Sequence, residues 1–199
     1  MITAARRLLP LFLVLITAAG LRAQSLPDLW NSVEALNLSR HGYVLGSVLD
    51  DAAKAVALSH LVEAPWTGTY KFLDKGVAVV ADSATDRILV IYELHEGAFR
   101  SDLQDMIGEL FLAYGEPTVS AHDTLVYWAF GAEGKFSQTQ FDKARDDIKP
   151  LLVLATVKLK SDLAIMNPAP PKEGEPAPTG TVYCIISSDP VLKHFKPGN

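Results

Sequence analysis

GTYKFLDKGVAVVADSATDRILVIYEL, residues 68–94, is the stretch that decides the fold. Val, Ile and Tyr dominate its short apolar runs, as pleated, half-buried strands prefer. Leu73-Asp74-Lys75-Gly76 separates the first run from VAVVA, and the polar DSATD separates VAVVA from RILVIYEL. Both separators carry turn-forming residues. The stretch therefore predicts a three-stranded antiparallel meander.

Working outward, the period on either side changes from two to about 3.6. On the N-terminal side, DDAAKAVALSHL (50–61) is alanine-rich with acids at its start, which suits a helix and its dipole. Before it, LPDLWNSVEALNL (26–38) places Leu29, Trp30, Val33, Leu36 and Leu38 near helical spacing, and RHGYVLGS then breaks the pattern with two glycines. On the C-terminal side, a helix opens at Ser101-Asp102. Leu103, Met106, Ile107, Leu110, Phe111 and Tyr114 make one apolar face of it. Gly115 is placed to cap that helix and Pro117 prevents its continuation. TLVYWAF, LLVLATVKLK and TVYCIIS then read as three more strands, with a polar surface helix in SQTQFDKARDDI between the first two. Residues 167–180 are proline-rich and read as an extended loop outside the core.

The two halves rhyme. Leu49, Asp51, Val56 and Leu58 stand 54 residues before Leu103, Asp105, Leu110 and Leu112. The expectation is one α+β domain over residues 24–199, built from two helix-plus-meander units at about 45–97 and 98–190. Both helices pack on one face of the sheet. This tandem α-β-β-β order resembles the β-lactamase-inhibitor-protein architecture and the small outer-membrane assembly lipoprotein domains related to it. The resemblance spans residues 45–190 and rests on element order. LFLAYGEPT followed by VYW is also similar to a pattern in small exported domains. Unlike the inhibitor repeats, this chain has a single cysteine and no disulfide clamp, and it lacks the lipoproteins' lipidated cysteine. The resemblance implies a surface that meets another macromolecule and assigns no residue.

The first residues read as an address. Arg6 and Arg7 precede a charge-free stretch of 14 residues, Leu8–Leu21, and Leu21-Arg22-Ala23 offers a cleavage site. A spanning helix needs about 20 apolar residues, so a secretory signal peptide over 1–23 is expected. The Arg pair hints at twin-arginine export, but general secretion is the better match. The chain is thus expected in the periplasm or outside a bacterium, without a membrane span after cleavage. Cys184 alone cannot form an internal disulfide and reads as a small core hydrophobe. Loss of Arg6, Arg7 and Arg22 leaves 15 basic against 23 acidic side chains, a net charge of −8. That balance argues against nucleic acid or an anionic membrane as partner.

Motifs for chemistry fail at decisive positions. HEGAF (95–99) begins like a zinc-protease signature but has Phe99 where the second His belongs. GAEGKF (131–136) ends like a phosphate loop but has Phe136 in place of Ser or Thr, and Ala129 in place of the first Gly. No cofactor or metal is expected. Glu93 and His95 share a strand face and could orient a base, with a polar strand edge running into a Glu96-Gly97 turn as the plainer reading. His122-Asp123 lie between a helix stop and a strand, where Asp is a turn residue and neighbours point apart. A small metal-dependent or acid/base hydrolase would use Glu93 and His95, with His122 and Asp123 as further candidates. The leading expectation is a non-enzymatic binding protein whose partner is a protein or envelope component. Trp66, Tyr70, Tyr127 and Trp128 are its candidate contacts, with one alternating set in the core and the other on an open sheet face. A third option is a small apolar molecule held between helix and sheet.

Overall fold

A computed structural model of the chain describes residues 25–121, 123–165 and 177–196. The expected signal peptide (1–23), His122 and residues 167–176 of the proline-rich loop lie outside the described residues.

Helix α1 (Leu26–Ala35) starts where the Ser25 hydroxyl accepts the Asp28 N–H, and it buries Leu29, Trp30 and Val33. It ends earlier than its apolar spacing suggests, because Asn37 takes a φ of 52°. The glycine-broken segment that follows is a hairpin, β1 (Ser39–Arg40) and β2 (Tyr43–Val44). Its two turn residues, His41 and Gly42, have φ of 51° and 89°, the signs a two-residue type I′ turn needs. Helix α2 (Asp51–Ser59) is capped by the Asp50 side chain, which accepts the Ala53 N–H at 2.7 Å.

The sheet then builds in sequence. A short β3 (Leu61–Val62) precedes β4 (Thr69–Asp74), β5 (Val77–Asp82) and β6 (Ile88–Ala98), the expected meander. Helix α3 (Arg100–Tyr114) comes next, then β7 (Val119–Ala121), β8 (Leu125–Gly131) and β9 (Gly134–Lys135). Helix α4 (Gln138–Asp146) buries none of its residues, as a polar surface helix should. Strands β10 (Ala155–Ser161) and β11 (Gly180–Ser187) complete the sheet, and one turn of helix, α5 (Asp189–Leu192), closes the described chain. No described helix is long and apolar enough to cross a membrane.

The architecture is α+β, with about 29% helix and 36% strand among the described residues. Strand order is β3-β4-β5-β6-β11-β10-β8-β7, with β9 also on β8, and all pairs are antiparallel. From the central β6–β11 seam the order runs β5, β4, β3 to one side and β10, β8, β7 to the other. Each half thus places its last strand at the seam and its helix-proximal strands outside.

Register assigns the two faces. Phe72, Val79, Ile91, Ile186, Val157 and Trp128 lie side by side across six strands. All six are at most 1% exposed. Burial of each such side chain contributes about 1.5–3 kcal/mol of transfer free energy. This is the helix face. Phe111 of α3 meets Trp128 edge-on at 5.8 Å, and Tyr43 meets Phe72 at 5.7 Å. Helix α2 lies along Tyr70, whose ring stacks on Phe72. The row on the opposite face is Leu73, Ala78, Tyr92, Ile185, Lys158 and Tyr127, and most of it reaches solvent.

Two local readings are corrected. Glu96-Gly97 is not a turn: β6 continues to Ala98 and pairs with β11 through His95–Val182 and Ala98–Gly180, with a register irregularity between them. A partner strand far away in sequence outweighs the local turn signal there. Leu151–Leu154 are not strand, since β10 begins at Ala155, and Leu152 is 70% exposed.

Candidate functional site

Strand parity sends Glu93 to the same face as Ile91, and so into the core side of the sheet, beside Cys184 on β11. A carboxylate only 5% exposed must find partners there. The hairpin supplies them. Arg40 Nε donates to Glu93 Oε2 at 2.5 Å, and the Arg40 guanidinium also reaches Glu109 of α3 at 2.7 Å. His41 Nε2 and His95 Nε2 lie 3.1 and 2.9 Å from the other oxygen, Oε1. Tyr114 of α3 holds the hairpin from the side, accepting the Ser39 N–H and donating to the Ser39 carbonyl at 2.7 Å.

The electrostatics follow from these contacts. Burial alone would raise the Glu93 pKa, but hydrogen bonds from Arg40, His95 and His41, with the Arg40 charge, bring it down to about 2. Burial works against the Arg40 charge as well, and its bonds to Glu93 and Glu109 hold its pKa above the usual value. Burial, with the Glu93 carboxylate adding to it against the Arg40 charge, pushes the Cys184 thiol up to about 12. An ionised carboxylate with both oxygens engaged is a poor general base, which needs a pKa near working pH and reach to a substrate proton. Among the described residues no group of three or more His, Cys, Asp and Glu is placed to hold a metal ion.

The other candidates are dispersed. Asp123 sits exposed in a turn with φ of 54°, far in the fold from any pairing with Glu93, and its carbonyl accepts the Ile165 N–H. Trp128 is not a surface aromatic. It is fully buried, and its Nε1 donates to the Gly115 carbonyl at 2.8 Å. Strand alternation sends it beneath α3 while its neighbour Tyr127 points the other way. Tyr70 lies on the helix face, with its hydroxyl on Asp86 at 2.9 Å. Trp66 is half-buried under Lys196, whose Nζ lies 5.8 Å from the ring centre.

Tyr127 alone of the four aromatics lies on the open face, and it has company. Lys158 Nζ lies 5.6 Å from the Tyr127 ring centre, and Lys160 Nζ 5.8 Å from that of Tyr183. Tyr183 and Tyr92 face each other across the β6–β11 seam at 6.1 Å. Three half-buried tyrosines and two lysines thus form a strip across β8, β10, β11 and β6.

The chain matches no family model, no curated protein and no solved structure. The site must therefore be read from its own residues.

Sequence reasoning missed Arg40, His41 and Glu109 around the buried Glu93, and Tyr92, Tyr183, Lys158 and Lys160 on the open face. Both sets had a signal. Glu93 shares parity with Ile91, so an inward strand placed a carboxylate in the core and called for a cation. VKLK alternates two lysines with two core residues, which marks one polar, solvent-facing side.

Proposed function

We propose that this chain is an exported, non-enzymatic protein of the bacterial cell envelope or exterior that binds a protein or envelope component through the open face of its sheet. The observation that carries this reading is the strip of Tyr92, Tyr127 and Tyr183 with Lys158 and Lys160 over two of the rings. Tyrosine offers large amphipathic contact area at low entropic cost, which is why it is enriched where proteins meet. The buried helix face, by contrast, is already satisfied by the chain's own elements.

The test is affinity capture from the native envelope fraction with the mature protein, residues 24–199, and with a Tyr127→Ala/Tyr183→Ala double variant. One partner recovered near equal amounts and lost with the variant supports the reading. Retention of the partner by a folded variant moves the contact off this face.

The alternative is a small acid/base or metal-dependent hydrolase using Glu93 and His95. Its support is the convergence of two imidazoles on one carboxylate oxygen. It predicts turnover or metal uptake abolished by His95→Ala, and a variant without effect removes these residues.

A further inference from the structure

Beside Tyr127 the open face deepens into a cleft of about 430 Å³, between the end of α4 and the lead-in to β10. Phe141, Ile148, Pro150, Leu151 and Val153 make it apolar, and Lys149 stands at its rim. Tyr127 is a wall of this cleft and also the ring beneath Lys158, so the cleft and the lysine strip form one continuous surface.

The charge of that surface contrasts with the rest of the molecule. The chain carries 23 acidic side chains against 18 basic ones, yet Lys149, Lys158 and Lys160 form no ion pair among the described residues. Arg145, also at the cleft, is neutralised by Asp142 and Asp146 at 3.1 and 3.2 Å. Asp189, near enough to add to the burial that raises the Tyr127 pKa, marks one border of the strip, and Glu96 near Tyr92 marks another.

Resting on the reading of this face as the binding surface, we propose that it receives an extended acidic segment of a partner protein, which seats one large apolar side chain in the cleft and its carboxylates over Lys158 and Lys160. The spacing fits: alternate residues of one strand stand about 6.6–6.8 Å apart on one face, which is also the spacing of alternate carboxylates in an extended peptide. At about 430 Å³ the cleft has room for a large apolar side chain. Lys158 and Lys160 lie over two of the three rings, so the strip offers charge outermost along β10.

The probe is a fluorescein-labelled decapeptide with one N-terminal phenylalanine followed by alternating threonine and glutamate, so that ring and carboxylates share one face when extended, read by anisotropy against the full protein at low ionic strength. Its control replaces each glutamate by lysine. The expected result is saturable binding of the acidic peptide only, weakened about tenfold at physiological salt and about tenfold by Lys158→Glu/Lys160→Glu, as screened charge pairs require. Circular dichroism checks that the double variant is folded. Absence of saturable binding, equal binding of both peptides, indifference to the lysine substitutions, or preference for phosphatidylglycerol vesicles over the peptide each overturns the proposal. The captured partner separates the two levels. If it is lost with Tyr127→Ala/Tyr183→Ala but kept by the lysine variant, the acidic segment is wrong and the face stands. If both variants keep it, the face falls and this proposal with it.

Discussion

Trp128 shows how far one side chain's direction determines its role. It touches Phe111 and Tyr114 of α3, and its indole N–H satisfies the Gly115 carbonyl at the helix end. Trp128→Ala should therefore destabilise the fold by about 3–5 kcal/mol in urea unfolding, the usual cost of removing a large buried aromatic. A loss below about 1 kcal/mol, within the range of surface substitutions, would contradict its burial. Cys184 gives a second residue-scale expectation. Its thiol is 1% exposed with its pKa pushed up by burial to about 12, so little thiolate exists at neutral pH. Ellman's reagent should leave it unmodified in the native protein and titrate one thiol in denaturant. Rapid native reaction would place the thiol at the surface instead.

At the scale of elements, the β1–β2 hairpin is a strap that ties α3 to the sheet through Glu93. The pH dependence follows from the direction of the Glu93 shift. Its folded pKa, about 2, lies below its ordinary 4.5. The contribution is therefore fully present above pH 4.5 and is lost as pH falls from there towards about 2. Wild-type stability should drop by on the order of 2 kcal/mol more than that of Glu93→Gln across this window. Parallel stability profiles for the two proteins would remove Glu93 as the source of acid sensitivity. The hairpin was not legible in the sequence beforehand. His41-Gly42 supplies the turn, but β1 and β2 have two residues each, too few to show alternation. Residues 68–94 were legible because three runs rich in Val, Ile and Tyr are set apart by turn residues, and Lys75-Gly76 takes the positive φ of a tight turn. The end of β6 was hidden because its partner, β11, lies more than 80 residues away along the chain. In the candidate sites, Glu93, His95 and Tyr127 could be picked from local pattern. Arg40 and Tyr183 reach them only through tertiary pairing, which no local window contains.

For the whole molecule, the β6–β11 seam joins the two halves into one sheet with one continuous buried row from Phe72 to Trp128. Neither half closes its core without the other, so unfolding should be a single transition. Far-UV circular dichroism and tryptophan fluorescence of the unsubstituted protein should report the same urea midpoint. Separated midpoints would make the halves independent folding units. The outer borders of the same sheet carry a different consequence. One ends in the two-residue β3, the other in the three-residue β7 and the two-residue β9. A sheet of this width exposes two rows of unpaired backbone groups, the usual template for fibril growth. Here a neighbouring molecule would find only two or three residues to pair with on either side, well short of the five or six of a typical strand. Among the described residues, border strands that stop so early offer a copy of the chain little foothold for stacking edge to edge.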